Sequence, residues 1–88
     1  MKAYVYVLRD ENGRFYVGST KNVENRIRAH HSGKTLTTKR MKNPQIVLVQ
    51  EYQSIVIARK VERRIKALKS KKYIAKMVSD GYIRITPL

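Results

Sequence analysis

No cysteine occurs among the 88 residues. That excludes a disulfide framework and any thiolate metal site, and it suits a reducing compartment, so a cytoplasmic protein is expected. Acidic residues are scarce as well: 6 Asp and Glu stand against 20 Lys and Arg, leaving a net charge of +14. A surface this positive attracts polyanions, with nucleic acid the first candidate and anionic membrane the second. Long hydrophobic runs are missing too. The apolar stretch Tyr4-Val5-Tyr6-Val7-Leu8 is stopped by Arg9 and Asp10, too short for a signal-peptide core or a membrane span. No helical segment sets a basic face against a large exposed apolar one, which argues against a membrane-surface peptide. The only histidines are His30 and His31, so candidate catalytic side chains are few.

What is present suits one domain spanning residues 1–88, with 42% apolar residues, a globular proportion. No internal repeat or low-complexity tract is visible. Residues 33–45 form the longest polar connection. Residues 3–9 alternate and are rich in β-branched and aromatic side chains, so they read as a strand. Residues 14–18 read as its hairpin partner across the turn signal Asp10-Glu11-Asn12-Gly13.

Register decides which side chains share a face. A two-residue Asn12-Gly13 loop would pair Arg9 with Tyr16 and put Tyr6 and Tyr16 on opposite faces. A three-residue loop, 11–13, with Gly13 left-handed, sets Leu8 opposite Tyr16 and Tyr6 opposite Gly18. That second register gathers Ala3, Val5, Val7, Phe15 and Val17 on one wholly apolar face. Tyr4, Tyr6, Leu8, Tyr16 and Gly18 then share the other. A one-residue slip exchanges the faces, so the cleaner segregation favours the three-residue loop.

Further along, Asn22 is placed to cap a helix to about residue 31, with Val23 and Ile27 inward and Gly33 as its stop. Residues 46–52 read as a third strand, expected to be buried on both faces from their near-continuous apolar run. Ser54 can cap a long helix to about residue 69 with the stripe Ile55, Ala58, Val61, Ile65 and Leu68. A shorter helix over about 71–79 stops at Gly81. Residues 82–85 either add a short strand or pack down. The order β-β-α-β-α-α predicts an α+β fold, a three-stranded antiparallel sheet flanked by helices.

Two spacings bear on chemistry. Arg26 and His30 lie four apart, on one helix face. Glu62 falls mid-helix at the edge of the apolar stripe, among Arg63, Arg64 and Lys66. A carboxylate there needs a partner, either a cationic side chain or a metal. Each residue alone has an ordinary structural reading: a packed tyrosine, a solvated arginine, a salt-bridged glutamate.

Taken together, these residues resemble the GIY-YIG nuclease family. Tyr4-Val5-Tyr6 stands where the family has Gly-Ile-Tyr, and Phe15-Tyr16-Val17-Gly18 stands at its Tyr-Ile-Gly. The segment Tyr16-Val17-Gly18-Ser19-Thr20, followed by Asn25-Arg26-Ile27-Arg28-Ala29-His30, is similar to the glycine-to-helix segment bearing the catalytic Arg and, four later, a His or Tyr. Ser32-Gly33-Lys34 follows, as in small stand-alone members called URI domains. Ala58 through Lys66 matches the helix with the metal-binding Glu. Tyr4 in place of the first Gly is a departure that stand-alone members tolerate. Many members carry an Asn beyond the Glu helix, and residues 63–80 contain none.

The resemblance implies a GIY-YIG-like fold and a metal-dependent endonuclease hydrolysing DNA phosphodiesters. Glu62 would be the sole protein ligand of one Mg²⁺ or Mn²⁺, ordinary for an ion that keeps much of its hydration shell. Arg26 would grip a phosphate oxygen. Tyr6, helped by His30, would take a proton from water, and Tyr16 would orient water or phosphate. Tyr6 ordinarily titrates near ~10, so this role calls for positive neighbours such as Arg26 and the metal. DNA is the expected partner, with no membrane, small-molecule cofactor or protein partner. With no room for a recognition domain, little base specificity is expected, and single-stranded or structured DNA fits. Lys21, Arg28, Lys34, Lys39, Arg40, Lys42, Arg63, Lys66 and Lys69 could hold the backbone without reading bases. The competing reading is a non-catalytic basic nucleic-acid-binding module. It explains charge and length, but not the family order of Tyr6, Tyr16, Arg26, His30 and Glu62.

Overall fold

The computed structural model describes residues 1–31 and 41–86. The hairpin takes the register that segregates the apolar side chains. Strand β1 (Ala3–Arg9) pairs antiparallel with β2 (Phe15–Thr20), Leu8 opposite Tyr16 and Tyr6 opposite Gly18. Asp10 donates its N–H to the Arg14 carbonyl at 3.0 Å, and Gly13 has φ +77°, the left-handed conformation that closes a three-residue loop. The Asp10 carboxylate braces the turn, accepting the N–H of Asn12 at 3.0 Å and of Arg14 at 2.8 Å. β2 begins at Phe15 rather than residue 14 and continues to Thr20.

Helix α1 (Val23–His31) follows at once. The Thr20 hydroxyl donates to the Asn22 carbonyl and accepts the Asn22 N–H, both at 3.1 Å. The Asn22 side chain in turn accepts the Asn25 N–H at 3.1 Å, satisfying a donor that the first turn leaves free. The expected stop at Gly33 lies outside the described residues.

Strand β3 (Gln45–Tyr52) pairs with the other side of β1, so the sheet order is β2-β1-β3. This corrects the expectation that the third strand is buried on both faces. As an outer strand it fully buries only Leu48, and Val49 is 41% exposed. The doubly buried strand is β1, where Val5 and Val7 are fully covered and Tyr6 is 2% exposed. An apolar run reports what a strand can bury, whereas topology decides what it does bury.

Ser54 caps helix α2 (Ile55–Leu68), its hydroxyl accepting the Ile57 N–H at 3.3 Å. Ala58, Val61 and Ile65 pack with Ala3, Val5, Val7, Val17 and Leu48 in the main core. Leu68, expected on that stripe, is 48% exposed. It is the last helical residue, and the chain turns away at Lys69, whose φ is 48°. Ser70 then caps helix α3 (Lys71–Asp80), which ends at left-handed Gly81 as expected and adds Met77 to the core. Residues 82–86 form no strand. Ile83 packs down instead, held by Gln50, whose Oε1 accepts the Ile83 N–H at 2.7 Å while Nε2 donates to the Ile83 carbonyl at 3.1 Å. Among the described residues the order is the expected α+β succession β-β-α-β-α-α. Among the described residues, no helix is long and apolar enough to cross a membrane.

Candidate active site

The site is built at the outer edge of β2. The starting point is Gly18, because it sits directly opposite Tyr6. A Cβ at Gly18 would come within 3.0 Å of Cε1, Cζ and Oη of Tyr6. The phenol therefore lies across Gly18 toward the free edge of the strand, in space that only glycine leaves open. Tyr16 shares that sheet face, its ring centroid 6.3 Å from that of Tyr6 and tilted by 44°. Their proximity depends on the three-residue turn, since a one-residue slip would part the rings.

From the helix layer, α2 brings Glu62 to the same edge. Its Oε1 accepts a very short hydrogen bond from the Ser19 hydroxyl. Its Oε2 is paired with the Lys66 ammonium at 2.6 Å, one helical turn on. The Lys66 nitrogen also lies 5.7 Å from the Tyr16 ring centroid, within cation–π range. The Glu62 side chain is 17% exposed and borders an open groove of about 510 Å³ lined also by Val56, Arg59, Arg63 and Lys66.

Half-buried Arg26 on α1 completes the set, close enough to act electrostatically on Tyr6. Burial pushes the Tyr6 phenol well above its ordinary pKa. The neighbouring Tyr16 and Glu62 push it the same way, and Arg26 pulls it back without offsetting them. The positive neighbour anticipated from the sequence is thus present but outweighed, and Tyr6 carries its proton at neutral pH. Tyr6, Tyr16, Arg26 and Glu62 are accordingly brought together from β1, β2, α1 and α2. His30 lies on α1, but its side chain falls outside the described residues.

The donor set fits a hard divalent cation held largely by water. Glu62 offers oxygen ligands at a groove edge, and the position beside Oε2 already favours positive charge, as the Lys66 ammonium demonstrates. No group of three His, Cys, Asp or Glu occurs among the described residues.

Of the proposed backbone-holding cations, Lys21, Arg28, Lys42, Arg63, Lys66 and Lys69 are exposed. Arg28 is near Glu24 at 4.0 Å and Lys42 near Glu11 at 3.8 Å. Lys34, Lys39 and Arg40 lie outside the described residues. Sequence reasoning gave no role to Ser19 or Arg59. The signal for Ser19 was available: alternation puts it on the same face as Phe15 and Val17, where a lone hydroxyl must find a partner.

Comparison with known proteins bears on the family and the fold. A family model described as the GIY-YIG catalytic domain matches residues 2–74. A UPF0213 protein from Staphylococcus saprophyticus is 30% identical over 81 residues, covering 91% of this chain and 98% of that one. A UPF0213 protein from Streptococcus sanguinis is 40% identical over 50 residues, covering 57% and 58%. The solution NMR structure of a UPF0213 protein from Bacillus halodurans superimposes with a TM-score of 0.58 at 32% identity, covering 90% of this chain and 84% of that one.

Proposed function

Because the chain belongs to the GIY-YIG family, we propose that it is a cytoplasmic, single-domain endonuclease that uses one divalent ion to hydrolyse DNA phosphodiesters with little base specificity. The observation that carries this reading is the convergence of Tyr16, Arg26 and Glu62 on the buried Tyr6 phenol. These four side chains reach one strand edge from four different elements.

Phosphodiesters resist hydrolysis because their negative oxygens repel nucleophiles, so the site must present positive charge and position a water. Glu62 would hold Mg²⁺ or Mn²⁺. Such an ion, when bound, supplies positive charge against the oxygen on which negative charge develops. Arg26 contributes a planar fork that can grip a phosphate oxygen at two points. Tyr6, protonated at neutral pH, would donate a hydrogen bond to the bound phosphate. Taking a proton requires added positive charge nearby, and neutralising Glu62 removes one of the causes that raise its pKa. Tyr16 orients the same water or phosphate, and His30 assists Tyr6. The exposed lysines and arginines hold the backbone, with strand state or junction shape as the determinant.

The Glu62–Lys66 pair favours a second reading, in which Glu62 serves structure and the protein only binds nucleic acid. Glu62→Gln separates the two. Gln keeps the size and the bond from Ser19 but removes the charge that holds a cation. A nuclease should lose cleavage by on the order of a thousandfold or more and retain DNA binding in a mobility shift. Near wild-type cleavage by the variant would sink the metal assignment. A wild-type protein inactive with Mg²⁺ and Mn²⁺ on single strands, duplexes and junctions would leave the binding module.

A further inference from the structure

We propose that a second groove beside the Tyr16 edge is a nucleotide subsite, which takes one unstacked base and its phosphates from a strand entering the active site. This rests on the nuclease reading for the strand's destination, but not for its binding. The groove has a volume of about 390 Å³ and lies where β2 meets the junction of α2 and α3. Its floor is apolar: Phe15 and Ile74 are half-buried there, over fully buried Ile65. Its rim is cationic, made by Arg14, Lys69 and Lys71.

Three observations point to an anion with a flat apolar part. First, the rim cations make no ion pair among the described residues. The chain has 6 acids, and each is engaged elsewhere. Glu11, Glu24, Glu51, Glu62 and Asp80 pair with Lys42, Arg28, Lys2, Lys66 and Arg84, and Asp10 braces its own turn. Second, Lys69 occupies a left-handed position, φ 48° and ψ 36°, where glycine is the ordinary residue. A lysine therefore stands at a backbone position that disfavours it, at the rim of this groove. Third, the groove adjoins the one beside Glu62, since Lys66 lines both. An aromatic floor within a cationic rim is the arrangement that holds single-stranded nucleic acid by stacking and charge, whereas a paired base must first unpair and unstack to enter.

Photocrosslinking without divalent metal tests this independently of catalysis. A single-stranded oligonucleotide carrying 5-iododeoxyuridine is irradiated with the whole protein in EDTA, and adducts are mapped by mass spectrometry. The expected adduct is on Phe15, at least tenfold weaker when the probe is annealed to its complement, and lost in Phe15→Leu. Adducts elsewhere only, or equal yields from single strand and duplex, would overturn the proposal. Lys69→Gly guards against a folding artefact, because it relieves the left-handed strain while removing a rim cation. It should melt about 4 °C higher yet bind the single strand more weakly, with the salt slope shallower by about 0.7. Unchanged affinity and slope in this folded variant would equally overturn it.

Discussion

Tyr6 binds its proton more tightly in the folded protein than in the open chain, and this ties stability to pH. Burial is the main cause, and Arg26 opposes it only in part. Below pH 10 the phenol is neutral in both states, and its contribution to folding is whole. As the pH rises past 10, the unfolded chain releases the proton first, and stability falls until the folded-state pKa is reached. Denaturant unfolding at pH 9 and pH 11 should therefore show a larger loss for the wild type than for Tyr6→Phe. Tyr52, also raised by burial, accounts for slope that remains in the variant. Equal losses in the two proteins would contradict the assignment. The raised pKa was not legible in the sequence, because it depends on how far the phenol is covered and on which charges surround it. Arg26 and Glu62 were legible as candidates; their unequal effect on Tyr6 was not.

Among the elements, the β1–β2 hairpin does most to shape the site. Its loop length, register and apolar face could all be read from residues 3–18, since a single slip would have parted Val17 from Val5 and Val7. The helix caps at Ser54 and Gly81 were legible for a similar reason, being local chemistry. The place of β3 at the sheet edge was not, because strand order is set by non-local pairing. Nor was the Ser19–Glu62 bond, which joins residues 43 apart in the chain. Gly18→Ala probes the hairpin's tightest approach. The added methyl must displace a ring that is 2% exposed, so overpacking should cost ~1–3 kcal/mol and cleavage should fall more steeply than duplex binding. Thermal denaturation, cleavage and mobility shift read the three effects. An alanine variant with wild-type melting and activity would mean that the phenol can lie elsewhere.

For the whole molecule, a net charge of +14 on 88 residues makes binding to nucleic acid largely an exchange with salt. If six phosphates are neutralised on duplex DNA, the log–log slope of the binding constant against salt should be roughly −5. Titrations between low and physiological salt measure it, and a flat response would rule out backbone contacts as the source of affinity. The same excess charge implies self-repulsion in the free protein, so melting temperature should rise with salt in its absence.

The sheet order β2-β1-β3 also divides the fold in time. The first strand can meet its hairpin partner across a loop of three residues, an encounter of microseconds. Its other neighbour, β3, starts at Gln45 and must close a far longer stretch of chain before any ladder bond repays the lost entropy. The tyrosine pair is thus established by the early, local event. Glu62, carried by α2 beyond β3, reaches the hairpin only by closing a longer stretch still, so the two halves of the candidate site depend on contacts of very different range.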